Sequence, residues 1–199
     1  MNTTTGPVHV RLETPADIPA IRALVRAAFA PDHEADGDAD LEARLVDALR
    51  EAGARSSVAE RDGQVVGHVM CTRSLLDTTP RLVDVLALAP LAVGPEHQRS
   101  GVGRALVAHA LEAATADGYP LVFVEGDWRY YGRLGFRRGD SLGFRRPSLR
   151  IPPKAFQVAV LPAHEPWMTG GLVYPDVLWR LDCVGLRGQM LTEMLELGA

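Results

Sequence analysis

Residues 98–104, Gln98-Arg99-Ser100-Gly101-Val102-Gly103-Arg104, set two glycines and two arginines where a helix begins. Glycine in a helix costs about 1 kcal/mol relative to alanine, so the pattern needs a reason. A helix N-terminus has unpaired backbone N–H groups and a partial positive charge. With the β-carbons gone, those amides can close around an anion such as phosphate. Arg99 and Arg104 add charge. The stretch reads as a phosphate cradle; a glycine-rich helix start that merely packs tightly is the alternative. A Walker-type loop is excluded, because Gly103 is followed by Arg104-Ala105 and not by Lys-Ser/Thr. A dinucleotide fingerprint is excluded, because Leu106 stands where its third small residue belongs. Ser100 lacks the G-x-S-x-G elbow of a hydrolase. The 6 histidines form no i, i+4 pair with a nearby acid, so no metal site is expected.

The elements that must position this cradle follow from pattern. Val8 to Leu12 alternates as a first strand. Thr14-Pro15-Ala16-Asp17 is a helix start, and Ile18, Ile21, Leu24, Val25 and Ala28 have helical spacing. The acidic stretch from Pro31 to Asp40 reads as a loop, followed by a second helix from Leu41 to Glu51. A meander comes next: Ser57–Arg61, a turn at Asp62-Gly63, Val65–Ser74, then Leu82–Val93. That last strand is nearly all apolar, as a central strand buried on both faces would be. Pro90 cannot donate to a sheet ladder, so the strand must bulge or part from its neighbour there. A helix from Gly101 to Ala116 buries Val102, Leu106, Val107, Ala110 and Leu111. Leu121–Glu125 is a short buried strand, Tyr130–Leu134 one or two helical turns. Phe156–Leu161 and Gly171–Tyr174 are strand-like, and Leu186–Leu197 is an amphipathic helix. We expect a single domain over residues 1–180, with residues 181–199 a helical extension packed on it or on a second copy in a homodimer.

The bulk numbers suit that size. A chain of 199 residues with 47% hydrophobic and 23% charged residues can bury a full core. A net charge of −4 argues against a nucleic-acid binder, which needs a basic surface. The 2 cysteines cannot make a disulfide framework. No apolar run approaches the roughly 18 residues that span a bilayer, and no signal peptide is visible. A cytoplasmic protein with no membrane partner is expected.

Gln98 to Gly103 matches the Q/R-x-x-G-x-G/A pattern of the GNAT superfamily of N-acetyltransferases. "PLAVGPEHQRSGVG" looks like that family's strand-turn-helix, and "YYGRLGF", residues 130–136, resembles its second signature. The likeness is closest to a bacterial subfamily with "PLAV", "GD…YYxRxGF" and a late "G…V.YP", here Pro90–Val93, Gly126–Phe136 and Gly171–Pro175. The resemblance implies an α+β (mixed α/β) fold: a mixed, mostly antiparallel sheet splayed between strands 4 and 5, flanked by helices on both faces. It implies acetyl-CoA as cosubstrate, with its diphosphate on the cradle and its pantetheine arm on the backbone of Leu91, Ala92 and Val93. The Val93 N–H would polarise the thioester carbonyl. Tyr131 aligns with the tyrosine that protonates the departing thiolate; Tyr130, about 100° round the helix, is its competitor. Many relatives carry a strand-four glutamate as base, yet Leu86-Ala87-Leu88-Ala89 has no carboxylate. Glu125, at the end of the fifth strand, is the first candidate, ahead of Asp127 and Asp84; a solvated strand end, or a water chain as base, are the alternatives. The acidic residues of the Asp32–Asp40 stretch read first as a solvated loop, with an acidic rim of the acceptor cleft as the alternative, and Trp128 and Trp167 could line that cleft or serve as core or interface residues. His97 could touch phosphate, and His68 could face the cleft. The implied activity is acetyl transfer to an amine; a non-catalytic acyl-CoA sensor is the alternative.

Overall fold

The computed structural model describes residues 6–33 and 40–196. Strand β1 (His9–Leu12) leads through a 3-10 turn at Pro15–Asp17 into helix α1 (Ile18–His33). Pro15 is pre-set for a first turn, and the Asp17 carboxylate accepts the Thr14 amide at 2.8 Å. The helix runs past Pro31, where the sequence suggested a loop: a proline in the last turn removes one ladder bond without ending the helix. Of the acidic stretch beyond it, residues 34–39 lie outside the described residues, and Asp40 pairs with Arg26 at 2.5 Å. Helix α2 (Leu41–Glu51) buries the expected stripe of Leu41, Leu45, Val46 and Leu49.

Strands β2 (Arg55–Arg61) and β3 (Gln64–Asp77) form a hairpin. Its turn has φ of 51° at Asp62 and 75° at Gly63, the two positive values a two-residue hairpin turn requires. Strand β4 (Leu82–Val93), helix α3 (Val102–Ala116) and strand β5 (Leu121–Glu125) follow. Helix α4 (Trp128–Tyr131) is a single turn. Then come β6 (Arg137–Arg138), β7 (Phe144–Arg145), β8 (Phe156–Val160), β9 (Gly170–Val173), α5 (Asp176–Arg180) and α6 (Gly188–Glu196). The sheet order is β1-β2-β3-β4-β5-β8-β6, with β9 pairing both β3 and β7. β4–β5 and β7–β9 are parallel, and the other pairs are antiparallel.

Each face of the sheet has its own core. Ile21 and Val25 of α1 and Leu49 of α2 pack with Met70 and Leu178 on one side. Val102, Leu106 and Val107 of α3 pack on Val66, Val69 and Leu88 on the other. Each such side chain contributes about 1.5–3 kcal/mol when fully buried. The start of α3 sits on β3 at a glycine. A β-carbon at Gly67 would lie 2.7 Å from Val102 Cγ1 and 2.9 Å from Leu106 Cδ1. We expect Gly67→Ala to cost about 1–3 kcal/mol by overpacking. A chemical-denaturation midpoint unchanged by that substitution would show the contact to be slack.

A polar network fastens α2 to the sheet. The Glu13 carboxylate takes hydrogen bonds from Arg50 and from the Ser56 hydroxyl, and Ser56 Oγ lies 2.8 Å from His68 Nε2. His68 is fully buried in this network, so the cleft-facing role considered for it does not hold.

The site is made by the way β4 leaves β5. The two strands pair only at Leu86–Val122 and Ala87–Phe123. Further along, β4 keeps β3 as its partner, and residues 88–93 pair with none of the described residues of β5. Val69 faces Leu91 while Cys71 faces Leu88, so Ala89 and Pro90 together oppose Met70. That is the bulge Pro90 requires, with the Ala89–Pro90 peptide cis.

Candidate active site

Three parts converge where the strands part. The first is the backbone edge of β4. Gly94 donates its N–H to Val66 O of β3 at 3.0 Å. Backbone groups alternate sides along a strand, so Ala92 also points at β3, while Leu91 and Val93 point into the gap. The Gln98 amide reaches Val93 O at 3.3 Å, on that open side. The assignment of all three residues is thus corrected: Ala92 is buried and its backbone is turned toward β3, leaving Leu91 and Val93 as the free edge.

The second part is the head of α3. Gly101 is the helix cap with φ of 90°, a left-handed value that favours glycine. The space where its β-carbon would sit is open. Gly103 is different: a β-carbon there would fall 2.4 Å from the Tyr130 hydroxyl. Tyr130 therefore lies across the cradle's inner rim. Arg99 and Arg104 are exposed, and Val102 turns its side chain into the core. The Ser100 hydroxyl is spent inside the loop, donating to His97 O at 2.6 Å. Arg61, from the end of β2, is buried beneath the loop and reaches Ser100 Oγ at 3.3 Å. No local motif marked it, because it comes from another strand.

The third part is a cavity of about 170 Å³ beside the gap. Its lining includes Phe29 of α1, Glu42 and Leu45 of α2 and residues 87–91 of β4. Glu125, Tyr131, Tyr174, Leu178, Cys183, residues 185–187 and Met190 of α6 complete it. Tyr131 is buried edge-on between Tyr130 and Phe136, with ring centroids at 5.0 and 5.5 Å. Burial holds its phenol well above the usual range, so it keeps its proton.

Glu125 ends β5 at the cavity wall. Burial pushes its carboxyl from 4.5 up to about 7, against the opposing pull of the Tyr174 hydroxyl, the Gly185 amide and the Arg150 charge. Gly185 N donates to Glu125 Oε2 at 3.0 Å. A carboxyl held near neutrality, aimed into a cavity and braced on two sides, has the properties of a general base. Tyr174 and Gly185 were not foreseen as its braces, and they lie far along the chain.

The other candidates fall away. Asp127 caps α4, accepting the Arg129 amide at 2.8 Å, and pairs with the Arg129 side chain. Asp84 pairs with Arg73 at 2.8 Å at the far end of β4. Trp128 is on the surface near Lys154, and Trp167 packs beside Arg81; neither lines the cavity. His97 lies beside Glu96 at 3.7 Å. Among the described residues, no cluster of three or more His, Cys, Asp or Glu could hold a metal ion, and no helix is long and apolar enough to cross a membrane.

An acetyltransferase (GNAT) domain family matches residues 9–139, from β1 to just past β6. The chain belongs to the GNAT family. It is 35% identical over 130 residues to an uncharacterized N-acetyltransferase, YhbS, of Escherichia coli K12, covering 64% of this chain and 72% of that one. The crystal structure of YhbS from Escherichia coli in complex with CoA superposes with a TM-score of 0.76 at 30% identity, covering 95% of this chain and 99% of that one. A GNAT acetyltransferase from Brucella melitensis in complex with acetyl-CoA gives 0.68 at 30% identity, over 86% and 98%. The splayed sheet and the glycine-rich helix head are thus the GNAT fold, and the gap beside β4 is its parted seam.

Proposed function

We propose that this GNAT protein moves the acetyl group of acetyl-CoA to a primary amine by direct attack within a ternary complex. The observation that carries the reading is that Glu125 and Tyr131 line one cavity at the mouth of the β4–β5 gap. The residues present fit acetyl-CoA as substrate. Amides at the head of α3 would take the diphosphate, with Gly101 open beside them. The free edges of Leu91 and Val93 would pair with the amides of the pantetheine arm, as a further strand would.

Each group then has one task. The Glu125 carboxylate accepts a proton from the amine, which must be neutral to attack. The Val93 N–H donates to the thioester oxygen as it becomes an oxyanion. A C–N bond forms, the C–S bond breaks, and Tyr131 gives its phenolic proton to the sulfur. Tyr174 and Gly185 hold the carboxylate in place throughout.

Thiol release in the presence of amines tests this. Tyr131→Phe should lower kcat about 10- to 100-fold and leave acetyl-CoA affinity within a factor of two. The loss stays below the upper range for acid catalysis because a thiolate, with a pKa near 8.5, leaves with modest help. Equal rates would remove Tyr131 from the reaction. Acetyl-CoA binding without thiol release for any amine would favour a non-catalytic acyl-CoA sensor.

A further inference from the structure

Arg61 has no task in the acetyl-transfer reading, and its surroundings are unusual for an arginine. It ends β2 with 8% of its surface exposed. Among the described residues its guanidinium makes one hydrogen bond, from Nη1 to Ser100 Oγ at 3.3 Å, and has no carboxylate within ion-pair distance. Its Nε is buried with no partner. The acids beside it in sequence point elsewhere. Glu60 binds Arg11 at 3.0 Å, and a β-carbon on Gly6 would fall 2.4 Å from Asp62 Oδ1. Arginine is almost never buried without a pairing, because a buried charge left alone is costly. The one contact aims this charge. Ser100 Oγ accepts from Arg61 and donates to His97 O at 2.6 Å. Left-handed backbone stands on both sides of Ser100, with φ of 57° at Arg99 and 90° at Gly101. Arg61 thus lies under the turn that leads into α3, whereas Arg99 and Arg104 on that turn are exposed.

We propose that Arg61 is a positioning residue for the acyl donor: its buried charge, aimed through Ser100 at the head of α3, is neutralised by the donor's diphosphate. The proposal rests on the acetyl-CoA reading above. The helix head by itself offers amides and a partial positive charge. A whole charge held beneath it, where the dielectric is low, acts on an anion more strongly than the two exposed arginines, which water and salt screen. A lone buried guanidinium also destabilises the fold, and the diphosphate offsets that cost on binding. Arg61 therefore acts on donor affinity and not on the chemical step.

The test is calorimetry with CoA and with dephospho-CoA, which keeps the diphosphate and lacks the 3′-phosphate, together with thermal melting of each variant. Arg61→Gln keeps a donor for Ser100 and removes the charge; it should weaken both ligands about tenfold. Arg61→Lys keeps the charge and should stay within about threefold of wild type. In about 0.5 M NaCl the Arg61→Gln loss should persist at about fivefold or more, while the losses in Arg99→Gln and Arg104→Gln should shrink below about twofold. Without ligand, Arg61→Gln should melt no earlier than wild type, since it removes an unpaired buried charge. Unchanged CoA affinity in Arg61→Gln would overturn the proposal. A loss seen with CoA and not with dephospho-CoA would overturn it too, by placing the charge at the 3′-phosphate. Equal weakening by glutamine and lysine, or an Arg61→Gln protein that melts earlier, would mark a merely structural arginine and overturn it. Failure of the wild-type protein to bind CoA at all would defeat the acetyl-CoA reading itself, which none of the other outcomes touches.

Discussion

Replacing Glu125 by glutamine should lower kcat about 10²–10³-fold, within the range for a general base. The pH profile distinguishes this from a mere disturbance of shape. Burial raises the Glu125 carboxyl to about 7, so the wild-type group is protonated and idle below that pH. The free enzyme's ionisation governs kcat/KM, so kcat/KM for the acceptor should rise with pH through an inflection near 7. The glutamine variant should lose that inflection and keep only the acceptor's own titration. An unchanged inflection would assign the limb to another group.

The same substitution should act on stability with a definite sign. The carboxyl titrates near 4.5 in the unfolded chain and near 7 when folded. Between those values the native state holds more protons than the unfolded one, so stability from this group falls as pH rises. Below pH 4.5 both states are protonated and nothing is lost. Glu125→Gln spares the cost of burying the charge, so the variant should match wild type at pH 4 and exceed it at pH 8. A gain of about 1 kcal/mol corresponds to about 2–4 °C in a chain of this size. An activity-dead variant that melts later at pH 8 would mark Glu125 as kept for chemistry at the expense of the fold.

The glycine-capped helix head, the hairpin and the bulge could be read from sequence because each is local. Asp62-Gly63 needs only its own positive φ values, and Pro90 needs only its missing N–H. Gln98 to Gly103 is one continuous turn, so its glycine spacing survives as a string. The braces of Glu125 are another matter. Gly185 lies 60 residues away and contributes a backbone N–H, which any residue type but proline has. Arg61 reaches Ser100 across 39 residues, from a different strand. Strands β6 and β7 are two residues long and carry no period. Ala92 shows a subtler limit: three consecutive residues look equivalent in a motif, yet pleating turns the middle one's hydrogen-bonding groups away.

Gly101→Glu should weaken acetyl-CoA binding about 10²–10³-fold by calorimetry, with the fold preserved. The position separates steric from electrostatic effects. Apart from Gly101 itself and its chain neighbours, no protein atom lies within 4 Å of the place a β-carbon would take, so the side chain has room in the free protein. Its backbone penalty comes from φ of 90° and is about 1–2 kcal/mol. The larger effect is charge. A carboxylate about 4 Å from a diphosphate charge, at an effective dielectric near 20, is repelled by about 4 kcal/mol, and screening by solvent trims this toward about 3. It also occupies the positive end of α3 that the diphosphate would otherwise use. Gly101→Ala supplies the control, since it carries the backbone penalty without the charge. If alanine and glutamate weaken binding equally, strain alone explains the loss. If glutamate leaves affinity intact, the diphosphate lies elsewhere, and the fit of acetyl-CoA to the gap beside Leu91 and Val93 loses its anchor.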